Sequence, residues 1–284
     1  MRQFLKATSC IVVAGGAFAV IGAAPALATN VELNPSGAGL GGAITPFFTD
    51  TQNGQSDATA VIQSNGSFTE TGVIFYEGLS ELGVPVGNSK TGLTNVYNLF
   101  LTYSLTGSLS TWNPLNPATA AGTISSVTYT LVGDPGAQNS LVQGTISPTG
   151  TPTSSPTSTP PTITGPDTLV TLATGGAVDL GLVNIAAGVP TASVILSLTQ
   201  AGTDFFEAPP GINTFGASFT NSPLDANTET EAANSSSTLA LLIDGTYTSS
   251  FTATPPPVPE PASLALLGTG VLALASVIRR RRKV

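Results

Sequence analysis

Between residues 29 and 257 the chain repeats one pattern: short runs of alternating apolar and polar residues, separated by clusters of Gly, Pro, Asn and Asp. In the run at 68–76, Val73 and Phe75 fall on one face and Ile74 and Tyr76 on the other. Over 96–106, Leu99, Leu101, Tyr103 and Leu105 share a face, with Thr102, Ser104 and Thr106 opposite. Val127, Tyr129 and Leu131 repeat the pattern, as do Val194, Leu196 and Leu198, then Leu239, Leu241 and Ile243. A period of two is that of a strand, whose successive side chains point to opposite sides. Gly133-Asp134-Pro135-Gly136 and Asn113-Pro114-Leu115-Asn116-Pro117 supply turns between runs. No capped amphipathic helix of useful length is found between these limits. The expectation is an all-β fold, an antiparallel sandwich-like ectodomain.

Residues 147–166 interrupt this order with a Thr/Ser/Pro tract that has few apolar side chains to offset the cost of ordering the chain. A flexible, partly polyproline-II insertion is expected there, dividing a first β-rich part (29–146) from a second (167–253). An insertion in one sandwich is favoured over a link between two sub-domains, because neither flank alone has many strong strands. Residues 254–257, Thr254 and three prolines, form a second stiff spacer.

Both ends of the chain differ from the middle. Arg2 and Lys6 precede an apolar run from Ile11 to Ile21, and Ala26-Leu27-Ala28 offers a small-x-small cleavage site. That order is a signal peptide over 1–28, cut after Ala28, and it implies export. Cys10 precedes the apolar core instead of following it, so a lipid-modified cysteine is excluded by position. At the other end, Val258-Pro259-Glu260-Pro261 is followed by an uncharged stretch over 262–278 and then by Arg279, Arg280, Arg281, Arg282 and Lys283. Seventeen apolar or small residues reach the lower limit for a membrane-spanning helix. The terminal cations resist transfer through hydrocarbon, which keeps them cytoplasmic and turns the β-rich part outward.

The tail at 258–284 resembles the PEP-CTERM sorting signal, with its Pro-Glu-Pro motif, short transmembrane helix and Arg-rich end. The resemblance implies processing by an exosortase, a transpeptidase-like membrane enzyme of Gram-negative bacteria that make abundant extracellular polysaccharide. Transient residence in the inner membrane, then release to the cell surface or extracellular matrix, is the localisation it implies.

Seven of the eight basic residues lie in these two ends, which leaves Lys90 alone between Thr29 and Val258. Fifteen carboxylates occupy the same span, so its net charge is near −14. Such a surface cannot neutralise phosphates, and nucleic-acid binding is excluded. The span has no Cys and no His. Disulfides, thiolate or imidazole metal sites, and Ser-His-Asp or Cys-His catalysis are therefore absent. Ser89-Lys90 sits in a Gly-Asn-Ser-Lys-Thr-Gly turn and is read as solvated. Paired carboxylates, Glu70 with Glu77 or Glu229 with Glu231, are the remaining enzymatic option if the fold sets them about 5–9 Å apart. Catalytic, cofactor and metal residues are expected to be none. Loops such as 50–54 and 225–227 do carry hard oxygen ligands of the kind Ca²⁺ takes, without the spacing of a recognised calcium loop.

Further resemblance spans most of the middle. Asn34-Pro35, Gly41-Gly42-Ala43, Pro46-Phe47-Phe48-Thr49-Asp50 and Phe68-Thr69-Glu70-Thr71-Gly72 resemble the opening of flocculation-associated PEP-CTERM proteins. Asn98-Leu99-Phe100-Leu101-Thr102-Tyr103 resembles their aromatic central strand. Gly202-Thr203-Asp204-Phe205-Phe206-Glu207-Ala208-Pro209 and Ile243-Asp244-Gly245-Thr246 resemble later segments. Gly211-Ile212 stand where that group often has an aromatic pair. The implied function is a non-enzymatic surface or matrix protein, associated with extracellular polysaccharide and promoting floc or biofilm formation. The alternatives are a secreted carbohydrate-binding module, which calls for an exposed platform of Tyr97, Tyr103, Tyr129 and Trp112, and an acidic-pair glycan hydrolase.

Overall fold

A computed structural model describes residues 29–110, 119–147, 157–186, 189–202, 204–208, 214–220, 230–233 and 238–252. Residues 1–28, where a signal peptide is expected, Trp112, Glu229, and residues 253–284 lie outside the described residues. In chain order the first strands are β1 (Val31–Leu33), β2 (Phe47–Thr49), β3 (Thr51–Ile62), β4 (Ser67–Glu81) and β5 (Val84–Val86). One helical turn, α1 (Asn88–Thr91), precedes β6 (Tyr97–Leu109) and β7 (Thr119–Pro135). Four short strands follow: β8 (Ser140–Val142), β9 (Thr145–Ser147), β10 (Thr157–Thr159) and β11 (Thr162–Thr164). Then come β12 (Val170–Ala186), β13 (Val189–Ser197), β14 (Thr199–Gln200) and β15 (Phe206–Ala208). The last three are β16 (Thr214–Thr220), β17 (Thr230–Ala233) and β18 (Leu239–Thr252).

The all-β, antiparallel expectation is met, and strand pairing carries it one step further. β3, β4, β6, β7, β12, β13, β16 and β18 each pair antiparallel with the next, and β18 pairs back onto β3. The facing layers are thus joined along both edges into an eight-stranded up-and-down barrel with no free edge in its wall. Four wall strands come from each side of the Thr/Ser/Pro tract, so the two β-rich parts share one core.

Period-two alternation decides which side chains enter the barrel. Leu99, Leu101, Tyr103 and Leu105 of β6, Ile74 and Tyr76 of β4, and Val127, Tyr129 and Leu131 of β7 are buried in one cluster. Val194, Leu196, Leu239, Ile243, Tyr247 and Phe251 join it from the other side. An apolar interior with a hydroxylated exterior reverses the pattern of a membrane-spanning barrel. Tyr76 and Tyr247 meet edge to face inside, with ring centroids 5.6 Å apart.

Closing eight strands leaves little room at the axis, and glycines opposite aromatics make that room. Gly72 pairs with Tyr103, Gly107 with Phe68, and Gly175 with Tyr129. A Cβ on these glycines would stand 2.5, 2.5 and 2.7 Å from the facing ring.

One pole gathers the ends of the described chain. A three-stranded sheet of β15, β1 and β2 covers it, burying Val31, Leu33, Leu40, Phe47 and Phe205. The Thr29 amide donates to the Phe251 carbonyl at 2.6 Å, so the first described residue lies beside the strand that leads to the tail. The Phe205 and Phe206 rings, 4.9 Å apart, are both buried as core filling.

The connection between β7 and β12 folds down over the outer wall. β8 pairs with β11 and β9 with β10, so residues 157–164 are folded where composition alone suggests an extended connector. Leu141, Ile163 and Leu169 pack on Val73, Phe100 and Val132, three apolar residues that face outward from the barrel.

Candidate functional site

The outer faces of β4, β6 and β7 carry a ladder of hydroxyls. Cross-strand register sets Thr71, Ser104 and Thr128 in one rung. Thr69, Thr106 and Ser126 form a second, and Ser67, Ser108 and Thr123 a third. Each residue is there because alternate positions of three adjacent strands must face water, and Thr suits a pleated, half-buried surface. The Thr106 hydroxyl lies 2.7 Å from that of Ser126, and the Thr102 hydroxyl donates weakly to the Thr130 carbonyl at 3.4 Å. Ser104 and Thr128 have no such partner among the described residues, which leaves their hydroxyls free to bind something else.

The folded connection walls this ladder on one side. Pro161, Ile163 and Leu169 stand over Thr71, Thr102 and Thr130, enclosing a groove of about 500 Å³. Among the described residues, no charged side chain lines it. Such a groove offers hydrogen bonds and apolar contact, with neither an anion nor a cation to select a charged ligand.

Two acid pairs fasten the connection to the barrel. Asp57 of β3 and Asp244 of β18 are direct cross-strand neighbours on the outer wall. The Gly144 backbone amide donates to Asp57 Oδ1 at 3.1 Å, and the Gln143 side-chain amide (Nε2) donates to Asp244 Oδ2 at 3.4 Å. Asp57 is 2% exposed. Burial, helped by the Asp244 charge and opposed by the Gly144 hydrogen bond, pushes its carboxyl up to about 7. The second pair, Asp134 at the end of β7 and Asp167 before β12, straddles the base of the connection. Burial, together with the Asp167 charge, raises the Asp134 carboxyl, while hydrogen bonds from Asn139 and Asn98 hold it down in part.

Inside the barrel, Glu70 accepts a hydrogen bond from the Tyr103 hydroxyl at 2.7 Å. Burial raises its carboxyl, and the Tyr103 hydrogen bond lowers it in part. Glu77, on the same strand, is exposed and accepts from Gln55 at 2.9 Å. One points inward and the other outward, so they do not form a facing pair. Glu231 lies on β17, and Glu229, with which sequence pairs it, lies outside the described residues.

Other residues singled out by sequence fall as follows. Ser89 and Lys90 are exposed on α1. Residues 51–54 belong to β3 instead of a loop, and Asp50 serves the turn by accepting the Leu82 amide at 2.9 Å. Residues 225–227 lie outside the described residues. Tyr97, Tyr103 and Tyr129 are 0%, 4% and 4% exposed, all inside the barrel, so they offer no external platform. Val258, Pro259, Glu260 and Pro261, the basic run at 279–283, and Ala26 and Ala28 also lie outside the described residues.

The hydroxyl ladder and the acid pairs escaped sequence reasoning because both depend on register between strands far apart in the chain. One signal was available: Phe100 and Val132 break the polar side of their alternation, which marks an outward apolar patch needing cover.

No curated protein and no solved structure matches the chain. Residues 257–282 match the family model of the PEP-CTERM protein-sorting motif. This match takes in Val258 to Pro261, the uncharged stretch and most of the basic run. It indicates exosortase-targeted export and sorting to the cell surface. The chain therefore carries a PEP-CTERM protein-sorting motif.

Proposed function

We propose that the barrel is a non-enzymatic surface or matrix module that holds uncharged extracellular polysaccharide in the hydroxyl-lined groove, and so promotes floc or biofilm formation. The observation that carries this reading is the groove itself, joined to an extracellular address. Sugar hydroxyls and ring faces are matched by Thr and Ser hydroxyls on the floor and by apolar side chains on the wall. With fifteen carboxylates and one Lys between the two terminal segments, an acidic polymer is repelled. Buried tyrosines weigh against a module built on an aromatic platform, and the opposed Glu70 and Glu77 weigh against a paired-carboxylate hydrolase.

The test uses the detergent-solubilised full-length chain on two supports, a neutral glucan and acidic alginate. Retention on the glucan alone is expected. Replacing Ser104 by Ala and Thr128 by Val should weaken it about tenfold, the loss of two ordinary hydrogen bonds. Equal retention of the variant, or preference for alginate, would remove the groove from the account. Unchanged floc and biofilm formation after gene deletion would remove the cellular role.

A further inference from the structure

The pair at the base of the folded connection carries a buried, orphaned oxygen on each of its two acids, whereas Asp50 and Asp57 each carry one without a like partner. Asp134 is 0% exposed. Its Oδ2 accepts the Asn139 amide at 2.8 Å and the Asn98 side chain at 3.3 Å. Among the described residues, neither its Oδ1 nor Asp167 Oδ2, both buried, has a hydrogen-bond partner outside the acid pair itself. One orphaned oxygen therefore comes from each side of the pair.

Asn139 holds the two acids in a fixed relation. Its side chain donates to the Asp167 carbonyl at 2.9 Å and accepts the Asp167 amide at 3.1 Å, while its own amide binds Asp134. Three residues from two separate turns are thereby locked around two bare carboxylate oxygens. Burying unpaired carboxylate oxygens side by side is costly unless a proton or a cation joins them. No basic side chain meets that need, because Lys90, the only cation between residues 29 and 257, is exposed on α1.

We propose that Asp134 and Asp167 are the ligands of a divalent-cation site of the Ca²⁺ class, which fastens the connection between β7 and β12 to the barrel. The donors are hard oxygens, as Ca²⁺ prefers, and an extracellular address supplies that ion. Among the described residues no three of His, Cys, Asp or Glu gather as a ligand set. The ion therefore keeps water and carbonyl oxygens for the rest of its shell, which sets its affinity among the weak extracellular sites, about 10⁻⁴–10⁻³ M. This site is separate from the hydroxyl groove, and its existence does not depend on a polysaccharide ligand.

The test uses the detergent-solubilised full-length chain, stripped with EGTA and titrated with CaCl₂ alone. The expected result is a saturable rise of about 3–8 °C in melting temperature, with one ion per chain by titration calorimetry. Asp167→Asn should abolish both the shift and the heat while melting, metal-free, no lower than the stripped wild type. Asp57→Asn should keep the full calcium response. Absence of any shift or heat at 10 mM Ca²⁺ in the wild type would overturn the site. So would an unchanged response in Asp167→Asn, or a response lost in Asp57→Asn instead. Limited proteolysis of residues 136–169 gives a second readout: Ca²⁺ should slow cutting there in the wild type and leave the Asp167→Asn rate unchanged.

Discussion

The two faces of the barrel wall are built from the same strands and obey different rules. Inward positions hold large apolar and aromatic residues, with glycines set opposite the rings. Outward positions hold Ser and Thr, interrupted by the apolar patch and acid pairs that dock the connection. The inner face is set by volume, since packing near crystalline density makes each added or missing atom costly. Chemistry sets the outer face, where substitutions away from buried features change stability little. Stability and the proposed recognition are thus divided between alternate residues of one strand.

The sharpest way to break this division is at the centre of the inner face. Tyr76→Ala empties the edge-to-face contact with Tyr247 and should cost about 3–5 kcal/mol in urea unfolding, on the scale of Phe or Trp truncations. A cost near zero would mean that the axis is not the core. Adding volume is the second route. Gly72→Ala places a Cβ 2.5 Å from the Tyr103 ring and should cost about 1–3 kcal/mol, with the Glu70–Tyr103 hydrogen bond disturbed.

Asp57 tests the boundary between the faces, because it points outward and is nevertheless buried. Its folded-state carboxyl titrates near 7 against an ordinary 3.8, so the folded protein holds a proton that the unfolded chain has released. Its contribution to stability is greatest below about pH 4 and falls as pH rises toward 7, then levels off. Asp57→Asn should remove this part of the slope and stabilise the protein at pH 8 by about 1–3 kcal/mol. Parallel wild-type and variant curves from pH 4 to pH 8 would contradict the assignment. The smallest stability effect belongs to the open face, where Thr128→Val should shift unfolding by no more than about 0.5 kcal/mol. A larger loss would show that the ladder supports the wall.

The division was legible where alternation is strict. Leu99, Leu101, Tyr103 and Leu105 were assigned to one face by period alone, and all four enter the barrel. Closure was not legible, since the pairing of Ile62 with Leu239 joins residues that no local pattern connects. Composition also misjudged residues 157–164. Thr favours strands, and the single Ile163 finds an apolar partner surface that the tract itself does not contain. Glu70 and Glu77 were legible too: an odd separation of seven residues on one strand sets them on opposite faces by period alone, and the bulge at Glu77, opposite Asn53 and Gly54, leaves Glu77 outside.

β18 has a mechanical consequence, because it is the strand from which the chain leaves toward the sorting motif. It is hydrogen-bonded on both edges, over twelve residue pairs to β3 and seven to β16. Tension applied at Thr252 along the strand loads both ladders in shear, so their bonds must yield together instead of one after another. A tether drawn from the far side of the wall would thus meet its greatest resistance in the strand nearest its point of attachment.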